Sequence, residues 1–282
     1  MERIAWLNGD FVPLAEAKVS AQDRGFLFAD GIYELTAVLD GKLVDSYAHL
    51  ARFERSAAGL DLALPIPTSE IEAIQRELIV RNQFDQGGVY FQLTGGPAER
   101  DFLATSTAPT LFMFTQAANV IDRPQAKTGI AVKTLPDPRW ARRDIKSIML
   151  LGQVLAKREA ASAGAQEAWL VDPAGFITEG ASSSALIVTP DGTLVTRPNS
   201  NDILPGCTRK AVLAIAERDG VKVEERLFTV AEAHGAHEAI LTSASNFVLP
   251  VVTIDGAPVG DGKPGPIAQR LRQLYIEAAR AG

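Results

Sequence analysis

Cysteine is almost absent from this sequence, and other features that define large protein classes are missing as well. Cys207 is the only cysteine among 282 residues, so neither an intrachain disulfide nor a cysteine-based metal site can form. The formal net charge is −6, which argues against a nucleic-acid partner because no basic excess is present to neutralise phosphates.

Long apolar runs and nucleotide-binding motifs are also missing. No stretch approaches the length that spans a bilayer, and residues 1–6 lack the apolar core of a signal peptide. No Gly-x-Gly-x-x-Gly follows a predicted strand and no Walker-type loop is present, so nucleotide binding has no support. We therefore expect a cytoplasmic globular protein without a nucleic-acid or membrane partner.

The patterns that are present predict an α+β fold. Asn8-Gly9 and Asp40-Gly41 are flanked by strand-like segments and predict two hairpins. Helical patterns cover residues 47–58, with Gly59 as the stop, and residues 148–163, 208–218 and 266–280. Hairpins with intervening helices are typical of α+β proteins. A polar segment containing Pro124 predicts a linker at 117–129 between an N-terminal α/β domain (1–116) and a C-terminal cofactor-binding domain (130–282).

One lysine stands out among the nine in the chain. Lys146 lies two residues before Ile148, the first residue of the apolar run Ile148-Met149-Leu150-Leu151, at the predicted start of a helix. A lysine held beside apolar residues loses solvation of its ammonium group, so its pKa falls and the neutral amine becomes available. Schiff-base chemistry requires that neutral amine. The alternative is an ordinary lysine that extends its charge into water.

A lysine that forms a Schiff base with a pyridine cofactor also needs a phosphate site, and two segments offer one. Gly206-Cys207-Thr208 places a glycine turn before a helix, where free amides and the helix dipole favour an anion; Thr208 is alternatively a simple N-cap. Arg52 shares a predicted helix face with His49 and Ser56 and could bind phosphate through two hydrogen bonds. Pairing of Arg52 with a neighbouring acid is the alternative.

Such a cofactor further needs a carboxylate for its ring nitrogen. Glu179 is the one acid in a stretch of small and hydroxyl-bearing residues, Thr178-Glu179-Gly180-Ala181-Ser182-Ser183. It could pair with a protonated pyridine nitrogen and keep the ring cationic. A solvated loop glutamate is the alternative, because most glutamates are exposed.

Taken in order, these segments resemble the landmarks of fold-type IV pyridoxal-phosphate enzymes, the class IV aminotransferase family, and most of all its D-amino acid aminotransferases. The resemblance covers nearly the whole chain and implies two domains, a smaller N-terminal α/β domain and a larger C-terminal pseudo-barrel. It rests on seven motifs: Asp23-Arg24-Gly25, Asp30-Gly31-Ile32-Tyr33-Glu34, His49-Leu50-Ala51-Arg52-Phe53, Asp144-Ile145-Lys146-Ser147, Leu151-Gly152-Gln153-Val154-Leu155-Ala156-Lys157, Thr178-Glu179-Gly180-Ala181-Ser182-Ser183 and Gly206-Cys207-Thr208-Arg209.

The resemblance implies roles at the matching positions. Lys146 would hold pyridoxal 5′-phosphate as a Schiff base and carry the substrate proton, and Glu179 would bond the ring nitrogen. Leu204 would pack against the ring. Tyr33 and Arg100 would hold the substrate α-carboxylate, with Arg100 reaching in from the partner subunit of a homodimer. The residues implied for the phosphate are Arg52, Cys207, Thr208, Ser243 and Ala244.

The chain departs from the family pattern at three places. Phe102 stands where the D-amino acid enzymes usually carry a histidine, and Gly95-Gly96 where an Arg-Gly pair is common. Ala244 replaces a threonine whose hydroxyl often binds phosphate, a loss of about 1 kcal/mol for one neutral hydrogen bond. The first departure bears on substrate preference more than on cofactor binding.

The function that the resemblance implies is ping-pong transamination between a D-amino acid such as D-alanine and a 2-oxo acid such as 2-oxoglutarate or pyruvate. Aminodeoxychorismate lyase, branched-chain L-amino acid transaminase and (R)-amine transaminase are alternatives on the same fold. A non-catalytic binding protein of this fold would be expected to lack Lys146 or Glu179, and both residues are present.

Overall fold

The computed structural model describes residues 2–104, 106 and 108–281. The chain forms two compact units, one of Met1–Val120 with Ile145–Met149 and one of Ile121–Asp144 with Leu150–Gly282. The segment that carries Lys146 therefore belongs to the first unit by its contacts, although it follows residues of the second unit in the chain. The functional division at residues 116 and 130 stays a prediction.

An antiparallel sheet forms the centre of the first unit. Its strands are β1 (Ile4–Leu7), β2 (Asp10–Pro13), β3 (Gly31–Leu39), β4 (Lys42–Leu43), β5 (Gly87–Thr94) and β6 (Thr110–Ala117). They lie in the order β2-β1-β6-β5-β3-β4. Along β3 the burial alternates between Tyr33, which is half-exposed, and Glu34, which is buried, because successive side chains of a strand point to opposite faces.

Both predicted hairpins are confirmed, and their turns explain the residues found there. Asn8 and Gly9 join β1 to β2 with φ angles of 49° and 112°, and Asp40 and Gly41 join β3 to β4 with φ angles of 51° and 72°. Two consecutive residues with positive φ are what a two-residue type I′ turn requires, and Asn-Gly and Asp-Gly are the pairs that adopt it most readily.

Helices cover the sheet of the first unit. They are α1 (Arg24–Phe28), α2 (Ser46–Ala58) and α3 (Thr68–Arg81), with a short 3₁₀ turn at Leu14–Glu16. One face of α2 is buried, including His49, Phe53 and Ser56, and α2 packs against β3. This packing places α2 directly over the buried side chain of Glu34.

The second unit is built on a mixed sheet. Its strands are β7 (Ile130–Pro136), β8 (Glu167–Val171), β9 (Ile177–Gly180), β10 (Ser184–Val188), β11 (Leu194–Thr196), β12 (Val223–Glu225), β13 (Glu238–Ser243), β14 (Phe247–Ile254) and β15 (Ala257–Pro258). The order is β12-β11-β10-β13-β14-β7-β8-β9, and β15 pairs with β14. The pairs β11/β12, β14/β7 and β7/β8 are parallel and the others antiparallel.

Helices of the second unit are α4 (Pro124–Thr128), α5 (Leu151–Ser162), α6 (Cys207–Arg218), α7 (Val230–His234) and α8 (Pro266–Ala281). Trp169 and Phe228 lie at the centre of its core and meet edge to face with ring centroids 6.5 Å apart. The α+β prediction is confirmed. Within the described part of the chain, no helix combines the length and the hydropathy needed to cross a membrane.

Candidate active site

The backbone around Lys146 is an extended segment along β3 and not the start of a helix. The predicted helix at residue 148 is wrong in its first turn, because α5 begins at Leu151. The amide of Tyr33 donates to the carbonyl of Lys146 at 2.9 Å, and the amide of Ile148 donates to the carbonyl of Gly31 at 3.0 Å. Lys146 is therefore fixed by sheet hydrogen bonds at the beginning of β3.

An aromatic ring, and not the apolar run, lies next to the amine of Lys146. The side chain is half-buried, and its Nζ lies 4.3 Å from the ring centroid of Tyr33. Tyr33 in turn stacks on Tyr90 with centroids 5.6 Å apart. Met149 and Leu151 of the apolar run are 42% and 67% exposed. Ile148 and Leu150 are half-buried, and the apolar environment expected for Lys146 from residues 148–151 stays a prediction.

Burial also acts on the neighbouring tyrosine. The pKa of Tyr90 is raised above its usual range because the half-buried hydroxyl is partly removed from water and Tyr33 lies beside it. The hydroxyl of Tyr90 donates to Oε1 of Gln92 at 2.6 Å. Tyr90 therefore remains a neutral hydrogen-bond donor at physiological pH, and it places no negative charge near Tyr33 and Lys146.

A buried ion pair lies on the other face of β3. Arg52 donates through Nε to Oε1 of Glu34 at 2.6 Å and through Nη2 to Oε2 at 2.9 Å, and Nδ1 of His49 lies 2.8 Å from Oε2. Burial alone would raise the pKa of Glu34, but the charges and hydrogen bonds of Arg52 and His49 hold it well below its usual range. The alternative reading of Arg52, pairing with an acid, is thus correct as far as these two nitrogens are concerned.

The helix face that Arg52 was predicted to share with His49 and Ser56 is confirmed. His49, Arg52 and Ser56 are all buried on α2, and Oγ of Ser56 accepts from the amide of Lys146 at 3.2 Å. Gly59 ends α2 with an ordinary right-handed φ of −68°, so it is not a left-handed cap. A Cβ there would lie 2.9 Å from Cδ1 of Ile145, and the glycine instead lets the lysine segment approach α2.

Glu179 is buried in a strand of the second unit. The loop alternative for Glu179 is wrong, because Ile177–Gly180 forms β9 and each of its residues is buried. Its Oε1 accepts from Nη1 of Arg139 at 2.5 Å and from the amide of Leu204 at 3.0 Å. Arg139 was missed from the sequence; the available signal was Asp137-Pro138-Arg139, a charged pair immediately after a buried strand.

Arg139 is shared unequally between two carboxylates. Asp137 receives two of its arms, Nε to Oδ1 at 2.9 Å and Nη2 to Oδ2 at 2.8 Å, together with the hydroxyl of Thr178 at 2.9 Å. Burial opposes ionisation of both acids. The pKa of Asp137 is nevertheless lowered by Arg139, whereas burial, assisted by the charge of Asp137, leaves the pKa of Glu179 raised despite Arg139 and the Leu204 amide. Glu179 would therefore gain from one further cationic N–H donor.

The beginning of α6 has the properties of a phosphate site. Gly206 is the N-cap, and no side chain caps the helix, so the alternative of Thr208 as N-cap is wrong. Thr208 lies inside the first turn, is 3% exposed, and its Oγ1 has no hydrogen-bond partner among the described residues. The first-turn amides, including those of Cys207 and Thr208, have no acceptor within the helix. A buried, unpartnered hydroxyl beside free amides fits an anion.

Close packing keeps this turn open to a ligand. A Cβ on Gly206 would lie 2.7 Å from Oγ of Ser184, so a larger residue would displace the strand end or the turn. Arg209 anchors the same helix start through Nη2, which donates to the carbonyl of Arg197 and to Glu225, each at 2.6 Å. These hydrogen bonds of Arg209 fix the start of α6, and they do not involve the hydroxyl of Thr208.

Ser243 and Ala244 lie in the turn between β13 and β14. Both are half-buried, and Oγ of Ser243 lies 3.4 Å from Oγ of Ser245. The preceding Thr242 is 2% exposed, and its Oγ1 also has no hydrogen-bond partner among the described residues. Hydroxyl groups therefore cluster at this turn as they do at the start of α6.

Arg100 lies on the surface, against Phe28. It occupies an exposed loop, its Cζ lies 5.6 Å from the ring centroid of Phe28, and Phe102 packs on the same ring at 5.2 Å. Over residues 2–104, 106 and 108–281, no hydrogen bond or ion pair joins Arg100 to Tyr33. The pairing of the two residues on a carboxylate stays a prediction.

Gly95, the second departure from the family pattern, has a local explanation. A Cβ at this position would lie 2.9 Å from Oδ2 of Asp30 and 3.1 Å from Cδ of Arg24. Arg24 and Asp30 form an ion pair at 2.6 Å, and Arg24 also donates to the carbonyls of Asp101 and Phe102. The glycine makes room for the arginine that fastens the Arg100 loop.

The donors and acceptors of the second unit fit a pyridine ring that carries a phosphate. Glu179 is a buried carboxylate with a raised pKa, suited to a protonated ring nitrogen. Thr208 offers an unpartnered buried hydroxyl at a helix start, suited to a phosphate. In the first unit, Lys146 presents an amine on a backbone fixed by sheet hydrogen bonds. These are the groups that pyridoxal 5′-phosphate requires.

Comparison with known proteins gives a consistent result. Residues 31–254 match the family described as amino-transferase class IV. The D-alanine aminotransferase of Staphylococcus haemolyticus is 41% identical over 280 residues, covering 97% of this chain and 98% of that protein. A branched-chain amino acid aminotransferase from T.th., solved with pyridoxamine 5′-phosphate, aligns with a TM-score of 0.90 at 27% identity, covering 100% of this chain and 95% of that chain.

A second solved structure supports the fold alone. The branched-chain amino acid aminotransferase of Escherichia coli aligns with a TM-score of 0.92 at 23% identity, over 99% of this chain and 95% of that chain. The fold-type IV architecture expected from the sequence is therefore confirmed, as a smaller unit with an antiparallel sheet and a larger unit with a mixed one.

Proposed function

The chain belongs to the class IV aminotransferases, which use pyridoxal 5′-phosphate, and on that premise we propose that it transfers an amino group between a D-amino acid and a 2-oxo acid. D-alanine is the proposed donor and 2-oxoglutarate or pyruvate the proposed acceptor, as the name of the Staphylococcus haemolyticus relative suggests. The observation that carries the proposal is the state of Glu179. This buried carboxylate accepts hydrogen bonds from one arm of Arg139 and from the Leu204 amide, and burial nevertheless keeps its pKa raised.

Each proposed cofactor-binding residue has a distinct task. When bound, the cofactor supplies an electron sink that stabilises negative charge at the substrate Cα. Glu179 keeps a proton on the ring nitrogen, and Leu204, whose amide already bonds Glu179, packs against the ring. The phosphate is bound by Arg52, Cys207, Thr208, Ser243 and Ala244; the unpartnered hydroxyl of Thr208 supports this assignment most directly.

Lys146 is the proposed catalytic residue. Its Nζ holds the cofactor covalently between turnovers and, once released by the substrate, moves the proton from the substrate Cα. The Tyr33 amide donates to the carbonyl of Lys146, and the amide of Lys146 donates to Oγ of Ser56. These bonds fix the backbone of Lys146, so the amine returns to the same place in each half-reaction. The two half-reactions follow one another in a ping-pong sequence.

Tyr33 and Arg100 are the proposed substrate-binding pair. A guanidinium and a phenol suit an α-carboxylate, because the guanidinium can donate two parallel hydrogen bonds. The exposed position of Arg100 on its loop supports the further proposal that it serves the site of a second copy in a homodimer. A cytoplasmic location completes the proposal and accords with the single buried cysteine.

Half-reactions test the substrate assignment. The cofactor-loaded protein is mixed in turn with D-alanine, L-leucine, (R)-1-phenylethylamine and aminodeoxychorismate, and the change in cofactor absorbance is followed. We expect D-alanine to react fastest and pyruvate to be released. A faster reaction with L-leucine would contradict the D-amino acid proposal in favour of the activity of the branched-chain relatives, and reaction with aminodeoxychorismate alone would favour the lyase.

Borohydride trapping tests the lysine assignment independently. Reduction of the loaded protein should fix the cofactor to the peptide that contains Lys146, and Lys146→Arg should abolish this labelling while it preserves the positive charge. Lys157→Arg is a matched control, because Lys157 pairs with Glu167 at 2.9 Å in α5. Labelling of another lysine, or a protein that cannot be loaded with pyridoxal 5′-phosphate, would refute the proposal.

A further inference from the structure

A strained residue, Phe247, directly follows the turn between β13 and β14. Ser243 pairs with Phe247 at the end of this hairpin, and the residues 243–246 that precede Phe247 are named here the 243–246 turn. Phe247 has a φ of 59° and is fully buried. A bulky aromatic residue rarely adopts this left-handed conformation, which costs of order 1–3 kcal/mol and persists only where the surroundings impose it.

Contacts with helix α8 help to hold Phe247 in this conformation. The ring of Phe247 meets Tyr275 of α8 edge to face, with centroids 5.0 Å apart. Arg272, one turn earlier on the same helix, donates through Nη1 to the carbonyls of Asn246 and Val248, each at 2.9 Å. The backbone on both sides of the strained residue is therefore held by one arginine.

A second arginine holds the turn from another direction. Nη1 of Arg123 donates to Oδ1 of Asn246 at 2.5 Å, and Nη2 of Arg272 donates to the carbonyl of Ile121 at 3.0 Å, two residues before Arg123 in the chain. Asn246 is thus gripped through its side chain by Arg123 and through its carbonyl by Arg272.

The cost of this arrangement argues that it has a purpose. Arg272 is only 7% exposed, and burial together with the charge of Arg123 lowers its pKa to about 10, although Asp122 opposes the shift. Placing a buried arginine next to a half-buried one is unfavourable, and a strained aromatic adds to that cost. A turn that served only to reverse the chain could use glycine or asparagine at this position instead.

We propose that Arg272 and Arg123 are positioning residues for cofactor binding, which hold the 243–246 turn in the conformation that binds the cofactor phosphate. This inference rests on the proposed phosphate role of Ser243 and Ala244. The two arginines themselves need not touch the phosphate: they fix the backbone whose amides and hydroxyls do. The final helix α8 then contributes to cofactor affinity from outside the site.

The experiment compares two forms of the cofactor, one of which lacks the phosphate. Cofactor-free full-length protein is titrated with pyridoxal 5′-phosphate and with pyridoxal, and dissociation constants are obtained from absorbance. Arg272→Gln should raise the constant for pyridoxal 5′-phosphate by about tenfold, since charged hydrogen bonds are lost, and the constant for pyridoxal by less than about twofold. Arg270→Gln is the matched control on the same helix, because Arg270 is exposed and pairs with Asp219; it should change neither.

Each outcome decides between two possibilities. A selective loss of affinity for the phosphorylated form supports the inference, whereas an equal loss for both forms, or no loss, overturns it. If Arg272→Gln unfolds below room temperature, Arg123→Gln is judged by the same criterion, with an expected effect of about threefold because the hydrogen bond to Oδ1 of Asn246 is lost. If wild-type protein binds both forms equally, the proposed phosphate site fails, and this inference fails with it.

Discussion

Two buried glutamates, one in each unit, meet arginines in opposite ways. Glu34 receives two arms of Arg52 and the ring nitrogen of His49, and its pKa lies well below the usual range. Glu179 receives one arm of Arg139, whose other contacts go to Asp137, and its pKa is raised. Charged groups of the protein pair with both oxygens of Glu34, whereas a charged group pairs with only one oxygen of Glu179.

The difference separates a structural ion pair from a ligand site. A buried charge that the protein neutralises has no need of a ligand, and Glu34 therefore acts on the position of Arg52. A buried carboxylate with an incomplete set of partners is stabilised by a cationic N–H donor from outside the chain. This is the property that a protonated pyridine nitrogen would use, and we predict that the two glutamates respond differently to the same substitution.

The largest expected effect is on catalysis by Glu179→Gln. A neutral amide cannot favour a proton on the ring nitrogen, so kcat/KM for D-alanine should fall by about 10²- to 10³-fold, the range seen when one electrostatic contact to developing charge is lost. Rates are measured in half-reactions at saturating cofactor. Glu34→Gln under the same conditions should change the rate by less than about tenfold. Equal losses of kcat/KM in the two variants would contradict the distinction between Glu34 and Glu179.

Stability should respond in the reverse order. Glu34→Gln leaves Arg52 buried without its counter-charge and should lower the free energy of unfolding of the cofactor-free protein by about 3–5 kcal/mol. Glu179→Gln should cost little or be stabilising, because the raised pKa shows that burial disfavours the charged form of this side chain. Chemical denaturation of both variants measures this contrast. A greater loss for Glu179→Gln would contradict it.

The pH dependence of stability should also differ in sign. The pKa of Glu34 is depressed in the folded protein, so its contribution is present above its ordinary value of 4.5 and is lost as the pH falls below it. The pKa of Glu179 is raised, so its contribution is present below 4.5 and is lost as the pH rises through the folded pKa. The difference in the free energy of unfolding between wild type and Glu34→Gln should therefore become smaller in acid. The free energy of unfolding of Glu179→Gln should rise relative to that of wild type as the pH increases. Denaturation from pH 3 to pH 7 provides the test, and parallel curves would refute the assignment.

The smallest expected effect concerns two buried threonines. The hydroxyl of Thr178 donates to Asp137 and to the carbonyl of Leu170, so Thr178→Val should lower the free energy of unfolding by about 1 kcal/mol. Thr36, beside Glu34 in β3, has a buried hydroxyl without a hydrogen-bond partner among the described residues, and Thr36→Val should be neutral or stabilising. Thermal denaturation distinguishes the pair. A larger loss for Thr36→Val would contradict the assignment of an unpartnered hydroxyl to Thr36.

Sequence patterns predicted the parts of the fold that local chemistry determines. Asn8-Gly9 and Asp40-Gly41 gave the correct hairpins because their residues accept positive φ without tertiary help. The limits of β9 and α5 were missed because burial decides them: Glu179 reads as a loop residue until Arg139 and Leu204 surround it. The role of Lys146 stays a prediction; its neighbour Tyr33 is distant in the chain, and no local pattern links the two residues.

The candidate site was predictable to the extent that family motifs carry it. Arg52, Thr208 and Leu204 were recognised from their order in the chain, yet the partners that define their electrostatics, Glu34 and Arg139, were not. Pairings across a sheet or between a strand and a loop depend on three-dimensional packing, which a single sequence does not reveal. The inequality between the two glutamates is therefore a property that only the structure provides.

The most direct test is to titrate the two carboxyl groups themselves. Cofactor-free protein labelled with ¹³C at the glutamate side-chain carboxyl carbons is followed by NMR against pH, and the signals are assigned by their loss in Glu34→Gln and Glu179→Gln. We predict that Glu179 titrates above the ordinary pKa of 4.5 and Glu34 below it, and that addition of pyridoxal 5′-phosphate lowers the pKa of Glu179 alone. A pKa of Glu179 at or below 4.5 in the cofactor-free protein would contradict the account.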